Sequence, residues 1–98
     1  MAQQVFKITD ATQVKMISIG DGISVIKSMT IANIHSSDAT VSLFLANSTD
    51  NYYIFKSLVL PTGQTVKMES DEISFDNRIY NLYVKLAGIT PVDVIINY

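Results

Sequence analysis

Apolar and polar residues alternate with a period of two along most of this chain. Clusters of turn-forming residues break the alternation at short intervals. Successive side chains of a strand point to opposite faces, so such segments read as β-strands with one face buried. Residues 39–46 show it most plainly: Val41, Leu43 and Leu45 share one face, and Ser42 and Phe44 take the other. Residues 24–34 predict a long strand, in which Val25, Lys27, Met29, Ile31 and Asn33 alternate with Ile26, Ser28, Thr30, Ala32 and Ile34. Residues 12–19, 52–60, 64–68, 73–75, 80–86 and 92–97 predict further strands, and residues 3–8 a short strand or an arm.

The breaks have their own chemistry. Gly20-Asp21-Gly22 suits positive φ and a tight turn. Ser36-Ser37-Asp38, residues 47–51, Glu69-Ser70-Asp71-Glu72, Asp76-Asn77-Arg78 and Ala87-Gly88 are polar or small and close the other strands. Pro61 and Gly63 fit the second and fourth positions of a type I turn that starts at Leu60. About eight short strands at this spacing are the signature of an all-β sandwich or barrel. No window sustains a helical apolar period. The expected fold is a single-domain antiparallel β-sandwich or jelly-roll-like barrel, with residues 21–98 as its core and residues 1–20 as an N-terminal strand or arm.

One strand departs from the usual pattern. In residues 52–60, Tyr52, Ile54, Leu58 and Leu60 lie on one face with Lys56, and Tyr53, Phe55 and Val59 on the other. An antiparallel sheet ordinarily shows water one polar face. Two apolar faces predict that the outer side is covered, by a loop, an arm or another subunit. Lys56, Pro61 and Lys67 read as guards against unwanted strand pairing.

Composition sharpens this. Of 98 residues, 48% are hydrophobic and 16% charged, against a usual charged share of about 25%. A domain this small hides a modest fraction of its surface, so the apolar excess predicts a subunit interface. The net charge is −2 and the seven basic residues are scattered, which argues against a protein built to neutralise phosphates. With no cysteine, disulfides, thiol catalysis and thiolate metal sites are excluded. Residues 1–10 hold no apolar run of signal-peptide type, and no stretch reaches the roughly 18 apolar residues of a membrane span. The expectation is a soluble, unprocessed chain without membrane or nucleic-acid partners.

Candidate chemistry is sparse. His35-Ser36-Ser37-Asp38 holds the residue types of a hydrolytic triad, but four neighbours in one turn do not converge with the base between nucleophile and acid; a polar turn is the simpler reading. Glu69, Asp71, Glu72 and Asp76 are the one acidic concentration, and their spacing matches no EF-hand loop. Asn47-Ser48-Thr49 has the form of a glycosylation sequon and reads as a turn. No catalytic residue, cofactor site or metal site is therefore assigned, and the chain reads as a non-enzyme.

From about residue 26 to 96 the sequence resembles small structural proteins of tailed bacteriophages, of the marine and cyanophage type. The resemblance rests on residues 27–34, the Ser36-Ser37-Asp38 turn, residues 39–45, residues 52–65 with their Pro-Thr-Gly turn, and residues 91–96. It implies a non-enzymatic virion component present in many copies and assembled in the host cytoplasm. Its partners would be the major capsid protein or other virion subunits, and copies of itself in a homo-oligomer. A capsid decoration or cement role is favoured, with a neck, head–tail or tail role as the alternative. The candidate contact residues are Val5 and Phe6 in the N-terminal segment and Tyr52, Tyr53 and Phe55. A receptor- or carbohydrate-binding module is the rival reading, with Tyr80, Asp76 and Asn77 as its candidate site.

Overall fold

The computed structural model describes residues 3–9, 13–22, 26–69, 75–88 and 90–98. Among them lie eight strands: β1 (Gln3–Ile8), β2 (Gln13–Ile17), β3 (Ser28–Ala32), β4 (Ala39–Ala46), β5 (Asn51–Leu60), β6 (Thr65–Glu69), β7 (Asn81–Leu86) and β8 (Val92–Asn97). They pair antiparallel into two four-stranded sheets, ordered β1-β8-β3-β6 and β2-β7-β4-β5. Only β4 and β5 follow each other within one sheet; every other consecutive pair crosses between sheets. This is a jelly roll, as the spacing of apolar runs and turns predicted. The shortest extent is 19 Å, which holds two sheets about 10 Å apart with one layer of side chains outside each.

The inner faces carry the alternation seen in the sequence. Met29 and Ile31 of β3, Val41 and Leu43 of β4, Leu82, Val84 and Leu86 of β7, and Val92, Val94 and Ile96 of β8 are buried in one cluster. Ile8, Met16, Ile17 and Ile26 complete it from the first part of the chain. Residues 3–8, read as a strand or an arm, run as an edge strand along β8 in unbroken register from Gln3↔Asn97 to Ile8↔Val92. β2 lies along β7 at the edge of the other sheet. The first two strands are thus one in each sheet.

Several boundaries differ from expectation for local reasons. The long strand expected over 24–34 is described as β3, five residues long, with residues 23–25 outside the described set. Asn33 ends it: its Oδ1 accepts the His35 N–H, and its Nδ2 donates to the carbonyls of Ser37 and Leu60. Asp21 ends β2 in the same way, accepting the Ser18 N–H in its carboxylate. The turn after β5 starts at Pro61 rather than at Leu60, with Gln64 N–H donating to the Pro61 carbonyl. Leu60 cannot close the expected turn, because its carbonyl is taken by Asn33 Nδ2 and the Gly63 N–H by the Asn33 carbonyl. Gly63 sits third in the turn at φ 77°, the position and angle of a type II turn. The strand expected at 73–75 falls outside the described residues, apart from Phe75, which packs on the core without strand geometry.

Candidate docking face

The two outer faces of the sandwich differ in kind. Across β1-β8-β3-β6 the registers line up three rows of outward side chains: Gln3, Asn97, Ser28 and Glu69; Val5, Ile95, Thr30 and Lys67; Lys7, Asp93, Ala32 and Thr65. The polar members bond one another. Gln3 donates to Asn97 at 2.9 Å, Asn97 donates to Ser28 at 2.9 Å, and Lys7 meets Asp93 at 2.6 Å. Lys67 lies 3.5 Å from Glu69. The two outward lysines in its strands, Lys7 and Lys67, each have a carboxylate beside them, whereas Lys27, just before β3, has none among the described residues.

The outer face of β2-β7-β4-β5 is built otherwise. Its central row crosses all four strands as Lys15, Tyr83, Phe44 and Tyr53. Four strands at about 4.8 Å spacing make that row roughly 14 Å wide. Phe44 stacks on Tyr83 with centroids 5.3 Å apart and planes 8° from parallel, and tilts against Tyr53 at 5.1 Å. Lys56 places its ammonium 5.2 Å from the Tyr53 centroid, a cation–π contact. In the next row Lys85 stands between Gln13 and Ser42. This face therefore carries three lysines, and none of its strand positions holds a carboxylate.

Phe44 is the unusual member. It is 0% exposed, yet it stands on the outer side of the sheet and outside the core cluster. The rings of Tyr53 and Tyr83 bury it rather than the domain's interior. Burying a phenylalanine contributes about 1.5–3 kcal/mol, and each aromatic pair about 0.5–1.5 kcal/mol more.

Two bulges in β5 set which of its residues reach this face. Leu43 pairs with Phe55 and Phe44 with Tyr53, so Ile54 is an extra residue on β5. Val41 pairs with Leu58, which leaves one more extra residue between Phe55 and Leu58. There Ser57 adopts φ 56°, and its N–H leaves the ladder to donate to Ser42 Oγ at 2.9 Å. Each bulge shifts the alternation by one residue. The expectation that Tyr53 and Phe55 share a face is thereby corrected: Phe55 packs on the core with Ile54 and Leu58, while Tyr53 and Val59 stay outside.

The five contact candidates consequently do not form one patch. Val5 is 67% exposed on the outer face of the first sheet, and Phe6, its neighbour, packs on the core. Phe55 also faces inward. Tyr52 is half exposed and meets Tyr80 edge-on at 5.9 Å, away from the aromatic row. Only Tyr53 belongs to that row. Sequence reasoning missed its companions Phe44, Tyr83, Lys15 and Lys85, which come from three strands that only the register brings together.

The remaining candidates are held by turn structure. His35, Ser36, Ser37 and Asp38 are exposed in a turn that Asn33 organises through the backbone of His35 and Ser37. Asn47 Oδ1 accepts the N–H groups of Thr49 and Asp50, both at 2.8 Å, which fixes the β4–β5 turn. Asp76 accepts the backbone N–H, Nε and Nη2 of Arg78, and these bonds hold its carboxyl below the usual carboxylate range while raising the guanidinium. Asn77 is buried and donates to the Ser18 carbonyl. Of the proposed sugar site, Asp76, Asn77 and Tyr80 are thus each engaged within the loop or against Tyr52. In the acidic cluster Asp71 and Glu72 lie outside the described residues. Among the described residues no three acidic or histidine side chains gather as a metal site would need.

No family model and no curated protein matches the chain. Solved structures of similar shape do. PirA superimposes with a TM-score of 0.59 at 16% identity, over 98% of this chain and 92% of its own. The core of the Drosophila protein NLP, described for its pentamer formation and histone binding, gives 0.56 at 13% identity, over 97% and 91%. At these identities the likeness is one of fold alone, and it places this chain among compact β-sandwich domains of the same size.

Proposed function

We propose that this chain is a non-enzymatic structural subunit of a virion, a capsid decoration or cement protein that docks through the outer face of β2-β7-β4-β5. The observation that carries the reading is the buried Phe44 between Tyr53 and Tyr83 on a face turned away from the core. A row of rings outside the core, flanked by lysines that have no carboxylate partner among the described residues, suits a partner surface better than bulk water. The first sheet, whose strand lysines are neutralised by Asp93 and Glu69, suits the side left toward solvent. The sequence resemblance to phage structural proteins supplies the setting, and jelly rolls recur in viral shells.

The mechanism is additive. A small contact repeated over a closed symmetric shell gains from multivalency what one copy lacks. Quantitative mass spectrometry of purified particles tests the assignment. Copies near equimolar with the major shell protein support a decoration role. A small fraction moves the chain to the neck, tail or a vertex, and absence from particles overturns the virion reading.

A further inference from the structure

The lysine and tyrosine groups of the docking face also specify the chemistry of what binds there. We infer that this face takes an acidic polypeptide segment, a run of Asp or Glu side chains on the partner protein. The inference rests on the reading of β2-β7-β4-β5 as the docking side. Lys15 ends the row and Lys56 and Lys85 stand beside it, and among the described residues no carboxylate pairs with any of the three. On the opposite sheet Lys7 and Lys67 have Asp93 and Glu69 at hand. Of the four lysines with no carboxylate beside them among the described residues, three stand on this face, and the fourth, Lys27, precedes β3 at the end of the other sheet.

A polyanion of another class, single-stranded nucleic acid, would use the rings as stacking platforms. Here the rings are already committed. Tyr83 stacks on Phe44, Phe44 is fully covered, and Tyr53 is shared between Phe44 and Lys56. What the face offers a partner is donors: three ammonium groups and the hydroxyls of Tyr53 and Tyr83. With Phe44 covered and Tyr83 stacked on it, Tyr53 is the one ring of the row left well exposed, and a face of several donors and few open rings matches carboxylates. The patch is also about 14 Å across, and the chain's net charge of −2 opposes a long phosphate backbone running past it.

The test measures binding of the full chain to a fluorescein-labelled oligo-glutamate peptide by anisotropy at low salt, with single-stranded oligo-dT as the competing probe. The expected result is salt-sensitive binding of oligo-glutamate. The triple variant Lys15→Gln, Lys56→Gln, Lys85→Gln weakens it about tenfold or more. Lys67→Gln on the other sheet leaves it unchanged. Tyr53→Phe, which keeps the ring and removes the hydroxyl, weakens it a few-fold while the fold stays intact by circular dichroism. No binding of oligo-glutamate overturns the inference, as does binding that the triple variant does not weaken. Oligo-dT binding in its place, lost in the triple variant, overturns it in favour of a nucleic-acid face. Particle copy number separates the two readings. A chain present in particles that ignores oligo-glutamate refutes the acidic partner alone. A chain absent from particles that binds it refutes the virion role and leaves the acidic-segment site standing.

Discussion

Replacing Phe44 by alanine probes whether the aromatic row is a built element or a surface accident. In cores Phe→Ala costs about 3–5 kcal/mol, the sum of lost transfer energy and the cavity left behind. Phe44 is fully buried, but its cover is two tyrosine side chains on a sheet surface, which can close over part of the gap. The low end of that range, about 3 kcal/mol, is therefore expected. For a domain of this size, that lowers the melting temperature by roughly 12–24 °C. Phe44→Leu keeps most of the apolar volume and loses the ring pairs with Tyr53 and Tyr83, so about 1–2 kcal/mol is expected. Urea unfolding followed by far-ultraviolet circular dichroism gives both values at an unchanged slope. A cycle of Phe44→Leu with Tyr53→Leu should return a coupling of about 0.5–1.5 kcal/mol. A cost for Phe44→Ala under about 0.5 kcal/mol is what an ordinary exposed site shows, and it would refute the buried outer row.

Other consequences follow from the turns. Asn33→Ala leaves the carbonyls of Ser37 and Leu60 and the His35 N–H without their partner, and is expected to cost about 2–3 kcal/mol in urea unfolding. Ser57 already occupies the left-handed region, so Ser57→Gly should fall within about 0.5 kcal/mol of neutral in thermal melts, while Ser57→Val should cost about 1–2 kcal/mol. Arg78 depresses the Asp76 carboxyl, so its contribution is present above the unfolded-state value of about 3.9 and fades as pH falls through the lower folded value. Carbon-detected NMR titration should place Asp76 below an ordinary aspartate, and Arg78→Gln should return it toward the ordinary value.

The sequence made the fold legible because the inner faces of β4, β7 and β8 obey strict alternation. Val41, Leu43, Leu82, Val84, Val92, Val94 and Ile96 are spaced by two within unbulged stretches, so the pattern and the packing agree. The site was less legible for two physical reasons. The bulges at Ile54 and near Ser57 reverse the alternation inside one strand, so Phe55 turns inward while Tyr53 stays out. No residue there signals the change, because Ser57 takes a positive φ usually left to glycine. The aromatic row is also a property of register. Lys15, Tyr83, Phe44 and Tyr53 come from four strands between 15 and 83 in the chain, and nothing local joins them. The alternation puts Asn33 in a strand, and the polar cluster at residues 76–78 puts Asn77 in a turn. Their burial and their bonds to distant carbonyls belong to the folded chain alone.

The most direct test of the docking account compares lysine acetylation of the free chain with that of the chain in intact particles, read residue by residue by mass spectrometry. Docking through β2-β7-β4-β5 predicts that Lys15, Lys56 and Lys85 lose reactivity in particles while Lys67, on the opposite sheet, keeps it. Equal labelling of all four, or protection of Lys67 with Lys15, Lys56 and Lys85 still reactive, would contradict it.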